Sequence, residues 1–346
     1  MSSRIPFISA DCWLEVFAFL PPSQLGLGIA LISRRFDRRV DEHFKTRKWI
    51  LDTELQIREK IRWFGNKEME IVNVNGEMPL PIPEIPLPNK VVGFRAIWIH
   101  YIDQNVLTFL GHFHRFFASS TTNTFLDENV RTLEFVFSTV WPLLRNSIRH
   151  VGLSNLTFRR LRQLAPSILN DCPSLRFITF NSDILPEFPP DESANASDGQ
   201  VLVKWLFSPR PDNMPKELYY TVHSSSGEWP SIIDRFKAQF SDASSPVCFS
   251  IFFKFTPSPL IDFVVPFELT NESTGEQMTL YYDEQQDDEE GFVLKRWPIA
   301  QDEKNGEELT LGWNKIDIYI GDNDVDDNLL DAYPGPSDQH QKEVNE

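Results

Sequence analysis

Seven histidines are the first candidates for chemistry: His43, His100, His112, His114, His150, His223 and His340. Only His112 and His114 lie close together. On a strand, two residues at i and i+2 share a face and could hold a metal with a third ligand. The surrounding run reads as a helix, where the same pair diverges by about 200°, so no metal site is expected. The chain contains no G-x-S-x-G, H-E-x-x-H, G-x-G-x-x-G or G-x-x-x-x-G-K-[ST]. It therefore lacks the usual nucleophile elbow, zinc helix and phosphate-cradling loops. Asp322-Asn-Asp324-Val-Asp326-Asp327 opens like a calcium loop. Its sixth position is Asp327 rather than glycine and its twelfth is Tyr333 rather than a bidentate Glu, so it is rejected. Cys12, Cys172 and Cys248 are odd in number and far apart, without a C-x-x-C. That pattern argues against a disulfide framework and suits a reducing compartment, the cytoplasm or nucleus. No catalytic residue, metal or cofactor is assigned, and the chain is not expected to be an enzyme.

The acidity of the chain is local. Of a net charge of −17, the stretch from Glu276 onward carries 20 acids against 5 bases, a balance of −15. A phosphate backbone would be repelled there, so nucleic acid is not an expected ligand. The acidic run Asp283–Glu290 reads as a solvated loop. The longest apolar run, Val247 to Leu269, is interrupted by Lys254, Asp262 and three prolines. Neither a membrane span nor a secretory leader is expected.

With chemistry unassigned, the elements point toward binding. Trp13, Val16, Phe17 and Leu20 fall at i, i+3, i+4 and i+7, one face of a short helix. Ser9 can cap it and Pro21-Pro22 stops it. A second helix carries Leu25, Ile29 and Ile32. A third carries Phe36, Val40 and Phe44, with Arg34, Arg35, Arg38 and Arg39 off its stripe. Three helices within about 40 residues bury too little to stand alone. Such a lobe completes its core against a partner or against the rest of its own chain. After Trp49, a polar helical stretch is expected to about Trp63. Residues 64–90 read as a linker, with Pro79, Pro81, Pro83, Pro86 and Pro88 forming an extended strap.

From Val91 onward, strand and helix signals alternate. Strands are expected at 94–102, 130–137, 150–156, 175–181, 217–222 and 247–255. Helices are expected at 106–117, 140–146, 158–170, 201–207 and 229–240. The stretch Leu169-Asn-Asp-Cys-Pro-Ser-Leu-Arg-Phe-Ile-Thr-Phe180 looks like a degenerate leucine-rich repeat. Strand spacing is irregular, so an open αβ stack and a compact α/β domain both fit. Beyond residue 263, alternation at Val265, Phe267, Leu269, at Met278, Leu280, Tyr282 and at Ile316, Ile318, Ile320 predicts a small antiparallel sheet. The fold class is thus α+β. The expected boundaries are a helical module at 1–49, helix and Pro-rich linker at 50–90, an αβ target-binding region at 91–262, a C-terminal β region at 263–321 and an acidic disordered tail at 322–346.

The order of residues at the N-terminus resembles the F-box. Ile8-Ser9 and Asp11 precede Trp13-Leu14-Glu15-Val16-Phe17-Ala18-Phe19-Leu20. Pro21-Pro22-Ser23-Gln24-Leu25 fills the loop and second-helix start, Ser33-Arg34-Arg35-Phe36 matches the turn, and Trp49 the late aromatic. Ser9 stands where the family prefers proline. The 87–106 segment, with "VPFELTN", "FVLKRWPI" and "NKIDIYIGD", resembles a large group of F-box proteins from plant-parasitic nematodes. The resemblance implies a substrate-recognition adaptor of a Skp-cullin-type ubiquitin ligase. It would dock a Skp adaptor, and through it a cullin, by Ile8, Val16, Phe17, Leu20 and Leu25, and hold a protein target elsewhere. A non-catalytic scaffold without a ligase role is the alternative.

Overall fold

The computed structural model describes residues 9–44, 49–59, 69–73, 80–83, 87, 91–117, 121–126, 130–181, 184–210, 212, 214–222, 229–255, 265–286, 289–299, 314–320 and 324–333. The chain forms two compact units, one from residues 1–122, 139–144 and 311–346 and one from 123–138 and 145–310.

The first unit opens with a helical lobe. Ser9 caps the helix Ala10–Phe17, its Oγ accepting from the Cys12 N–H at 3.3 Å. Pro22 sits at the first position of the next helical run, where its missing N–H leaves no bond unmade. That run is Pro22–Gln24, a π-helical turn Leu25–Ile29 and Ala30–Ile32. Extended Ser33 ends it, and its Oγ accepts from Phe36 N–H at 3.4 Å to start the helix Arg34–Phe44. No strand interrupts residues 12–44.

The strand Trp49–Glu59 follows, where a helix was expected. Leu51 and Leu55, four apart, mimic a helical stripe. In the ladder they are separated by a bulge between Leu51 and Glu54, and both are buried with Ile57. Pairing on both edges overrides the helix propensity of the Glu, Gln and Arg between them. One edge runs parallel to Val91–Ile99 and the other antiparallel to Met69–Asn73, which pairs with Leu80–Pro81. The expected linker therefore contains two strands. Lys315–Ile320 lies parallel to Val91–Ile99 on its far side. This corrects the expectation that the Ile316, Ile318, Ile320 strand closes an antiparallel sheet. The helix Gln104–Phe117 starts on Asp103, whose Oδ1 accepts from Val106 N–H, and brings Phe113 and Phe116 against Phe94.

The expected disordered tail also needs correction. Val325 bridges to Ile102, the helix Asp327–Ala332 is capped by Asp326, and Val325 and Leu330 are buried. Residues 334–346 lie outside the described residues.

The second unit is a mixed sheet. Ile148–Leu153, Phe177–Asn181, Lys216–Val222 and Phe249–Phe255 are neighbours in chain order and all parallel. The helices between them, Asn155–Leu164, Asp198–Phe207 and Trp229–Ser241, share one face. Phe158 meets Phe180, Phe207 meets Phe249, and Trp229 meets Phe253, with centroids 4.6–5.4 Å apart. Repeated crossovers of one hand in one direction place helices on one side. Glu289–Pro298, Glu276–Gln286 and Phe267–Asn271 extend the sheet antiparallel. Two departures stand out. Val130–Thr139 is a helix, not a strand, because Leu133, Val136 and Val140 bury at helical spacing despite their β-favouring neighbours. Thr121–Leu126, unexpected from sequence, is a strand.

Candidate docking surface

The helical lobe separates its apolar side chains into two sets. Phe17 and Leu25 have no exposed surface and, with Leu27, Ala30 and Val40, form its interior. Trp13 lies edge-on to Phe36 at 4.9 Å and tilted to Phe17 at 6.1 Å; Phe17 meets His43 edge-on at 5.9 Å. The second set faces outward. Val16 is 46% exposed, Phe19 88% and Ile32 63%. Arg34 and Arg38 are exposed on the third helix. Behind them Asp37 is half-buried, and its carboxyl is raised above the usual range by burial, then by Asp41, against the opposing charge of Arg38.

Of the five residues expected to face a partner, Val16 is exposed and Leu20 half-buried. Phe17 and Leu25 belong to the interior and cannot be contact residues unless the lobe opens. Ile8 lies outside the described residues. Helical spacing puts Phe17 and Leu20 on one stripe but does not say whether its own chain covers that stripe. Phe19, two residues from Phe17, had to point away from it, and that was the available signal for the missed exposed position. Ile32, the last residue before the Ser33 break, lacks a following turn to cover it.

The second unit carries the buried charges. Arg296 and Glu276 pair at 2.6 Å with almost no exposure. Arg296 also donates to the Ser245 carbonyl, and Glu276 accepts from the Val247 N–H at 2.7 Å. The Arg296 guanidinium lies 5.2 Å over the Phe240 ring. Asn271 Nδ2 donates to the Phe240 and Ala243 carbonyls. Together these groups fasten the 240–248 loop. Lys216 is also buried, its Nζ donating to the Trp205 carbonyl and lying 4.9 Å over the Trp205 ring. Burial, and then the charge of Arg210, pull it down to about 7. Cys248 is a free thiol pushed up by burial and by Glu276.

An open cleft of about 540 Å³ lies beside Arg159, Arg162 and Asp198. Asp198 already accepts from both arginines, at 2.8 Å for Arg159 Nε, so the cleft presents an ion-pair cluster whose carboxylate is already engaged. Among the described residues no three His, Cys, Asp or Glu side chains converge to hold a metal. His112 and His114 sit on the helix Gln104–Phe117 and diverge. No described helix is long and apolar enough to cross a membrane. No family model, curated protein or solved structure matches the chain.

Proposed function

We propose that this chain is a non-enzymatic F-box-type adaptor that recognises a protein substrate for a Skp-cullin ubiquitin ligase in the cytoplasm or nucleus. One observation carries the reading: the N-terminal lobe holds itself together with Phe17, Leu25 and Val40 yet leaves Val16, Phe19 and Ile32 exposed. Isolated exposed apolar residues are ordinary, but three on a lobe of about 40 residues that also exposes Arg34 and Arg38 offer apolar surface of the kind that a partner covers. Interfaces concentrate their energy in a few such side chains. The resemblance of the 8–49 segment to the F-box makes the Skp-type adaptor the partner. The four parallel strands with helices on one face support reading the second unit as an irregular leucine-rich-repeat-like target-binding stack. Ubiquitin transfer would belong to other subunits, with this chain supplying proximity.

Phe19→Asp and Ile32→Asp test the reading, because neither residue supports the fold. Each should abolish co-purification with a Skp-type adaptor while the melting temperature stays within about two degrees. If the intact protein, folded, binds no Skp-type adaptor, the adaptor reading fails and the scaffold reading replaces it.

A further inference from the structure

The strand Phe267–Asn271 ends the sheet of the second unit. Glu276–Gln286 occupies one of its edges, in unbroken register from Phe267–Leu280 to Asn271–Glu276. Among the described residues no strand occupies the other edge. A free edge presents main-chain donors and acceptors ready to pair, and sheets usually blunt it with bulges, prolines or lysines. Here the ladder has no bulge, and Pro266 precedes the strand rather than interrupting it. Lys237 lies 4.4 Å over the Phe267 ring, on the side of the helix Trp229–Ser241.

The two faces of this edge differ. On the helix side Phe267 and Leu269 are half-buried. On the other side Glu268 and Thr270 are exposed, with Glu272 exposed in the following turn. Val265, just before the strand, is 74% exposed. Among the described residues neither Glu268 nor Glu272 takes part in an ion pair, whereas Lys237 pairs with Asp234.

We propose that this edge takes up an extended segment of a partner protein as an added strand, in which apolar residues alternate with lysine or arginine. Main-chain pairing would supply the affinity and alternate side chains the selectivity. The apolar residues would sit beside Phe267 and Leu269 under the helix. The basic residues would lie on the opposite face near Glu268, with one more at the Glu272 end. Five residues of edge, about 17 Å, match a segment of five to seven residues. The strand and the N-terminal lobe belong to different units, and the proposal stands whether or not the lobe docks a Skp-type adaptor.

The test uses the full chain and a fluorescent six-residue peptide alternating lysine and valine. Its comparator has the same side chains with every amide N-methylated, so its charge is kept but neither edge can donate to a ladder. The plain peptide should bind at least about tenfold more tightly than the methylated one. It should also slow amide exchange within 265–271. The double variant Glu268→Lys, Glu272→Lys should weaken binding by about tenfold or more with an unchanged melting temperature. Equal binding of both peptides, or binding without slower exchange in this strand, would mean mere attraction to an acidic chain and overturns the proposal. So would protection of the same strand that rises with protein concentration in the absence of peptide, since the occupant would then be a second copy of this chain.

Discussion

A buried ion pair and a buried lysine in the second unit face different electrostatic problems. Arg296 and Glu276 neutralise each other, and the loop carbonyl and amide they also bind tie down residues 245–247. Removing one partner leaves a buried ion without its counter-charge, which costs about 3–5 kcal/mol. Arg296→Met should therefore destabilise the protein by that amount in urea unfolding. Adding Glu276→Gln should recover part of the loss, and a double-mutant cycle with no coupling would refute the pairing. Lys216 has a ring and a carbonyl but, among the described residues, no ion-pair partner. Its ordinary value is 10.5, and the fold lowers it to about 7. Between those values the unfolded chain holds a proton that the folded chain has released, so stability rises as pH climbs from about 7 toward 10.5. Below about pH 7 both states are protonated and the contribution is flat. Lys216→Met should remove this rise and add about 1–3 kcal/mol at pH 6, less the loss of the bond to Trp205. Unfolding curves at pH 6 and pH 9 measure the difference; parallel curves for the two proteins would show that Lys216 titrates normally.

At the scale of elements, the lobe makes a sharper statement than its sequence did. Phe17→Ala opens a cavity in a five-residue interior and should cost about 3–5 kcal/mol. Phe19→Ala, two residues on in the turn that follows this helix, should change stability by less than about 0.5 kcal/mol. Thermal melts of the two variants should differ accordingly, and equal losses would place Phe19 in the interior. The sequence stripe contained Phe17 and Leu20 but held no information about which chain would cover it, so the contact set was only half legible. The strands at 148–153, 177–181, 216–222 and 249–255 were legible as strands, though not as parallel ones, because they are short runs rich in Ile, Val, Phe and Tyr, and in 177–181 and 216–222 alternate residues bury. Trp49–Glu59 was not, because Leu51 and Leu55, four apart, fit a helix as well as a strand, and the bulge between them breaks the simple alternation. Val130–Thr139 was misread for the opposite reason, since Val, Thr and Phe favour strands while its burial follows a helical period. The alternation at Ile316, Ile318 and Ile320 identified a strand but not its neighbour.

At the scale of the whole chain, that neighbour is the consequential finding. Lys315–Ile320 lies more than 200 residues from Val91–Ile99 in sequence, and a parallel pairing over such a separation leaves no local pattern. Its register is pinned just before the strand. Asn314 holds a left-handed backbone, φ 66°, and its side-chain carbonyl accepts from the Phe94 N–H at 2.8 Å while its own N–H donates to the Phe94 carbonyl at 2.7 Å. Next come Ile316, Ile318 and Ile320, all buried, then Val325 and Leu330. Of the expected acidic tail, 322–346, the residues 324–333 are therefore structural, with Val325 and Leu330 buried. Stopping the chain at residue 310 removes five buried apolar side chains, each worth about 1.5–3 kcal/mol when fully buried, and exposes one edge of Val91–Ile99. Against a typical domain stability of 5–15 kcal/mol, that loss is enough to unfold the first unit. Amide exchange in the truncated protein should become fast across 91–99 and 104–117. Within 177–181 and 216–222, whose strand partners the deletion leaves in place, exchange provides the internal comparison. Stopping instead at residue 333 keeps all five side chains and should leave exchange across 91–99 slow. If stopping at 310 also leaves that strand slow, the parallel pairing with Lys315–Ile320 contributes little to the stability of the unit.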